Sequence, residues 1–252
     1  MLIKILKKVT NIATFIAKVG FRTFFSLKNQ NVHYSRYDIF NKIWLKNLNI
    51  GTVLDIGANV GEFSLIFNHL FKEPDIYAFE PLPECIKKLK QISTINTNIK
   101  VLPYALGDSN STEIMHVSSW APSSSLLKMG ELHKKAAPHS AGSQDIEINV
   151  KRLDDVFPIN NIKKNLLIKM DVQGFEKRVM EGGANTFKQA SVVVLEMSFN
   201  ELYDGEPSFH ELYSKLIDLG FVYHGSLKQS VNKDDETYLQ CDGIFLNKNI
   251  NI

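Results

Sequence analysis

The sequence predicts an α/β chain, built on a mostly parallel sheet with helices on both faces. Three observations carry this. Between residues 50 and 200, short apolar runs alternate with segments whose apolar residues recur at helical spacing. The first strand-to-helix turn, within residues 53–63, carries glycines at 57 and 61. The composition, 44% apolar and 22% charged over 252 residues, is that of an ordinary globular chain rather than a disordered or low-complexity one.

Taken in order, residues 1–30 contain Lys4, Lys7, Lys8, Lys18, Arg22 and Lys28 and no acid; the first acid is Asp38. Apolar residues from Leu2 to Phe25 are interspersed at helical spacing, so residues 1–45 read as an amphipathic helical extension and 46–252 as a single larger domain. No run reaches the ~18 apolar residues of a membrane span. Nor does a signal-peptide core with a cleavage motif stand out, so the expected location is the cytoplasm. Two uses of the extension stay open. It packs on the domain or on a second copy in a homodimer, or it lies on the anionic inner face of the membrane.

Residues 52–56, 76–79, 100–104, 166–170 and 191–197 read as strands, and 221–224 and 237–246 as the last two. Helices follow at 60–71 and 84–92, at 175–180 with a stop at Gly182-Gly183, and at 209–219 before Gly220. Residues 111–117 and 145–150 alternate apolar with polar and read as a β-hairpin or an added antiparallel pair. Between them, residues 118–143 form a Ser-rich flap with Trp120, Leu126 and Leu127.

The net charge of +2 lacks the basic excess of a dedicated nucleic-acid binder. That total conceals a division. Six of the 29 basic residues and none of the 27 acids fall in the first 30, leaving the remainder at −4. Cys85 and Cys241 are too few for a disulfide framework or a four-thiolate zinc site, and fit a reducing compartment.

The chemistry concentrates at the ends of the predicted strands. In the first turn, Gly57 and Gly61 let a ligand approach the backbone, and the following helix N-terminus suits an anion. Asn59 stands where a dinucleotide fingerprint would have its second glycine, and Asp55 precedes the turn. An acid there repels a pyrophosphate but suits an ammonium group. S-adenosyl-L-methionine carries both an ammonium and a carboxylate. Glu80 ends the second strand, where a carboxylate accepts from ribose hydroxyls. Asp108, after the third strand, can accept from an adenine amino group. Asp171 ends the fourth strand, where it can orient or deprotonate a hydroxyl, with Glu176 bracing its loop. Glu196 ends the fifth. Asp171 and Glu196 read either as an acid/base pair or as ligands of a divalent metal. The histidines show no metal-ligand spacing; His116, His133, His139 and His210 lie near the same rim. Trp120, Tyr203 and Phe209 can stack on a sugar face or simply pack.

An ordered series of motifs covers residues 50–247. It comprises VLDIGANVGEFSL at 53–65, Phe79-Glu80-Pro81, ALGD at 105–108, VKRLDD at 150–155, IKMDVQGFE at 168–176, Glu181-Gly182-Gly183 and Gln240-Cys241-Asp242-Gly243-Ile244-Phe245. This series resembles the FkbM family of methyltransferases. The resemblance implies a Rossmann-like class I methyltransferase fold, with a seven-stranded sheet whose last strand is antiparallel. It also implies S-adenosylmethionine as cofactor and O-methylation of a sugar, glycan or polyketide-like hydroxyl. On it, Asp55, Gly57, Asn59 and Gly61 hold the methionine end, Glu80 the ribose and Asp108 the adenine side, with Asp171 beside the transferred methyl. One departure is Gln173, where many relatives carry Glu.

Overall fold

The computed structural model describes residues 2–30 and 32–249, with side chains for all of these except 2–6 and Lys8. Four helices come first: α1 (Leu2–Val19), α2 (Phe21–Asn29), α3 (Tyr34–Phe40) and α4 (Ile43–Asn47). The single extension expected from the sequence is therefore divided. The chain breaks at Gly20, and α3 starts where the His33 side chain accepts from the Ser35 N–H.

The alternating part follows as β1 (Ile50–Ile56), α5 (Glu62–Leu70), β2 (Asp75–Phe79), α6 (Pro83–Ile95) and β3 (Ile99–Leu102). After these come β4 (Ala105–Gly107), β5 (Ser111–Ser118), α7 (Glu131–Ala136), β6 (Ser143–Arg152) and α8 (Leu153–Val156). The chain closes with β7 (Asn165–Met170), α9 (Glu176–Gly182), α10 (Ala184–Gln189), β8 (Ala190–Ser198), α11 (Phe209–Asp218), β9 (Phe221–Val231) and β10 (Tyr238–Asn247).

Seven strands form the main sheet in the order β3-β2-β1-β7-β8-β10-β9. β3, β2, β1, β7 and β8 pair in parallel, and β10 runs antiparallel to both its neighbours. This is the expected doubly wound sheet with its one reversed strand. Every residue of β1 is buried, because helices cover both faces. Alternate strand residues feed two cores. Val53, Leu167, Val192 and Val194 face one side with Phe67 and Leu89. Leu54, Ile168, Val193 and Leu195 face the other with Phe187 and Leu212. Phe15, Leu27, Tyr37, Phe40 and Leu45 belong to the first core, so α1–α4 are packed on the sheet's own helical layer.

Three elements differ from the sequence expectation. β3 stops at Leu102 because Pro103 has no N–H to continue the ladder. The short β4 leaves the main sheet and pairs with β6. The anticipated β5–β6 hairpin is thus part of a three-stranded sheet, β4-β6-β5, carrying the flap. β9 extends to Val231 rather than ending at 224, with Gly225 and register shifts obscuring its alternation.

Candidate active site

The carboxyl ends of the parallel strands surround a cavity of about 730 Å³, roofed by the flap and walled by α3 and the β9–β10 hairpin. An open α/β sheet places its ligand crevice there. Gly57 leaves β1 at φ +77, and a Cβ on it would lie 1.9 Å from the Asp171 carbonyl oxygen. The ends of β1 and β7 approach so closely that only glycine fits. Its N–H and that of Ala58 donate to the Phe79 carbonyl. The chain then turns through Asn59 (φ +49) into α5.

Glu80 is 4% exposed and lines the cavity. Its oxygens accept from the Asn59 N–H at 2.7 Å and the Leu82 N–H at 2.9 Å. Burial outweighs these bonds and pushes its pKa up to about 7. Each oxygen keeps a lone pair for a further donor. Ala105, Leu106, Met115, Leu82 and Leu126 supply an apolar wall nearby.

The second centre lies at the ends of β7 and β8. The Gln173 side-chain amide donates from Nε2 to Asp171 Oδ1 and to Glu196 Oε2, both at 2.6 Å. Its Oε1 lies 2.8 Å from the Tyr203 hydroxyl, whose single proton is shared with the Ser123 carbonyl at 2.9 Å. Gln240 Nε2, on β10, donates to the other Glu196 oxygen. Lys169 Nζ lies 3.3 Å from Asp171 Oδ2 and 4.4 Å from the centre of the Phe63 ring. Burial alone would lower the Lys169 pKa, but Asp171, Asp55 and Asp242 offset it and hold the ammonium above its usual range. Burial and the charge of Asp171 push Glu196 well above the usual carboxylate range. The same causes raise Asp242 to about 6. Asp171 itself keeps 27% of its side chain exposed. Glu176 braces the loop by accepting the Val172 N–H at 3.1 Å.

Of the residues singled out in the sequence, Gly57, Asn59, Glu80, Asp171 and Glu196 line this one cavity. Asp55, Gly61 and Asp108 do not. Asp55 is fully buried within β1. It accepts from the Ser64 hydroxyl at 2.6 Å, while its other oxygen has no hydrogen-bond partner among the described residues. Burial raises its pKa, and the nearby Lys169 ammonium offsets part of that rise. Gly61 starts α5 in the left-handed conformation, and a Cβ there would meet Leu89 at 2.7 Å, so it serves the packing of α6. Asp108 is exposed outside the cavity, because β4 has left the main sheet and its Gly107 carbonyl packs against Gly182.

His133 and His139 reach the cavity from the flap, as does Trp120. His116 instead pairs with Asp145 at 2.6 Å, away from it. Tyr203 is buried behind Gln173, and Phe209 packs with Phe199. Among the described residues, no group of three or more His, Cys, Asp or Glu side chains could hold a metal ion. Lys169, Asp242, Gln240, Arg36 and Lys228 line the cavity without having been singled out. Lys169 and Asp242 carried a usable signal, since each is a lone charge inside an otherwise apolar strand.

Residues 55–223 match the methyltransferase FkbM domain. The chain belongs to that family. In this FkbM domain the matched segment includes Gly57, Asn59, Glu80, Asp171 and Glu196 of the cavity lining. Among curated proteins it is similar to the 2-O-methyltransferase NoeI of Sinorhizobium fredii, 27% identical over 161 residues covering 61% of this chain and 66% of that one. It is also similar to the methyltransferase sdnD of Sordaria araneosa, 28% identical over 153 residues covering 52% and 59%. The match thus spans less than two thirds of either relative. Among solved structures, the methyltransferase FkbM from Methylobacillus flagellatus superposes with a TM-score of 0.52 at 12% identity. It covers 82% of this chain and 47% of that one, a likeness of fold.

Proposed function

We propose that this FkbM domain transfers a methyl group from S-adenosylmethionine to a hydroxyl of a sugar, glycan or polyketide-like acceptor. The observation that carries the reading is the pairing of two carboxylate centres in one cavity. Glu80 stands beside the Gly57–Asn59 turn, and Asp171 and Glu196 stand at the neighbouring strand ends. The name of the 2-O-methyltransferase relative supports a hydroxyl acceptor.

The residues fit the cofactor. The glycine turn brings bare backbone to the cavity, and the Glu80 oxygens are positioned to accept two vicinal hydroxyls of a ribose. The Ala105–Leu106 and Met115 wall suits an adenine face. When bound, the cofactor supplies an electrophilic methyl on a sulfonium. Asp171, with 27% of its side chain exposed, orients the acceptor hydroxyl and takes its proton at a carboxylate oxygen as the new bond forms. Lys169 and the Gln173 amide hold that carboxylate in place. Glu196, already accepting from two amides, holds Gln173 and is the alternative proton acceptor.

The test is a transfer assay with methyl-labelled cofactor against hydroxyl acceptors, together with calorimetric titration. Label in an ether product, with an Asp171→Asn variant that binds cofactor but turns over slowly, is the expected result. No cofactor binding at millimolar concentration overturns the reading.

A further inference from the structure

α1 and α2 bury one side and leave another bare. Phe15 sits among Phe24, Tyr34 and Tyr37, and Leu27 is buried beside them. Away from that contact, Val9, Ala13 and Ala17 are all exposed, one helical turn apart. On α2, Phe21 and Phe25 are 67% and 50% exposed, with their rings stacked at 6.4 Å. Lys7, Arg22 and Lys28 are exposed on the same two helices, as is Lys18, which pairs with Asp38 of α3, the first acid of the chain.

From these residues we infer that α1 and α2 dock on a bilayer surface containing anionic lipid. Exposed phenylalanines, a small-residue row and a basic surround are the makings of an interfacial helix: apolar groups enter the acyl boundary while lysine and arginine meet headgroup phosphates. Charge decides between this occupant and a second copy of the chain. A symmetric contact would oppose two basic faces, and α1 and α2 contain no carboxylate to offset them. Among the described residues no helix is long and apolar enough to cross a membrane, so the contact is a surface one. α3, packed against these helices, lines the catalytic cavity with Arg36, Ile39 and Phe40. Docking would therefore set one cavity wall beside the membrane, within reach of an acceptor presented there.

The experiment is co-sedimentation of the full chain with vesicles of phosphatidylglycerol in phosphatidylcholine at low salt. Pelleting is expected with these vesicles and not with phosphatidylcholine alone, and it should weaken as salt is added. The pair Arg22→Gln with Lys28→Gln should lower partition roughly thirtyfold. The pair Phe21→Ser with Phe25→Ser should lower it roughly a hundredfold. All four positions are exposed, and unchanged thermal melting separates lost docking from misfolding. Absence of pelleting, or equal pelleting on neutral vesicles, overturns the inference. So does a dimer in solution that the phenylalanine variant abolishes. Vesicle binding by a chain that fails to bind cofactor would overturn the methyl-transfer reading and leave the docking surface standing.

Discussion

Glu80 and the Asp171–Glu196 pair open into the same cavity but are held by different kinds of partner. Glu80 rests on the backbone N–H groups of Asn59 and Leu82, both within a few residues of strand ends that the sheet already aligns. Asp171 and Glu196 rest on side chains: the amides of Gln173 and Gln240 and the ammonium of Lys169, with the Tyr203 hydroxyl beside Gln173. A backbone cradle survives most side-chain changes nearby. A side-chain network depends on each member, because a lost partner leaves one carboxylate oxygen without its donor.

The largest effect expected from breaking this contrast is in turnover. Asp171→Asn should lower kcat by roughly 10²–10⁴-fold while barely moving the cofactor dissociation constant. Equal losses in both, measured by steady-state kinetics and calorimetry, would make Asp171 a structural residue. Glu80→Ala should do the reverse, costing about 2–4 kcal/mol of cofactor affinity with kcat at saturation largely kept. An unchanged dissociation constant would remove Glu80 from the cofactor site.

Gln173→Glu sharpens the comparison further. It replaces a donor shared by two acids with a third acid, and should cost about 1–3 kcal/mol of stability. By melting, that loss should be greater near pH 8 than near pH 5. A variant as stable as the parent at both would show that the amide is not what holds the pair.

The smallest effect is the pH dependence of the parent. Asp242, Glu80 and Glu176 have folded pKa values raised to about 6, 7 and 8, chiefly by burial. The folded chain therefore keeps protons that the unfolded chain has released. This contribution to stability is complete below about pH 4 and is lost as pH rises through those three values. Glu176→Gln should remove the highest step and flatten the melting curve between about pH 7 and 9 by roughly 2–4 °C. A profile that Glu176→Gln leaves unaltered would count against its burial as a proton-binding carboxyl.

The two centres were also unequally legible in the sequence. The Gly57–Asn59 turn and Glu80 were readable because a strand, a glycine turn and a helix are contiguous, and the acid follows at the next strand end. Asp171 and Glu196 were readable for the same positional reason. Lys169, Gln240 and Asp242 were not singled out, because their importance lies in partners on other strands. Asp55 and Asp108, read as cofactor residues, do not line the cavity. Asp55 is buried inside its strand. Asp108 follows a strand that the tertiary fold moved to another sheet.

By itself the sequence determined the alternation of strands and helices, the turn at Gly57 and the acids at strand ends, because periodicity and turn chemistry are local properties. It also determined that the net basic excess lies in the first thirty residues, since the remainder carries −4. Only the tertiary structure decided which acids face one another, that β4 joins β6, and that α3 walls the cavity. These depend on pairings between residues far apart in the chain, which local spacing does not encode. The Gln173 amide shows the difference. In the sequence it is a polar residue in a loop, and in the fold it is the donor that two carboxylates share.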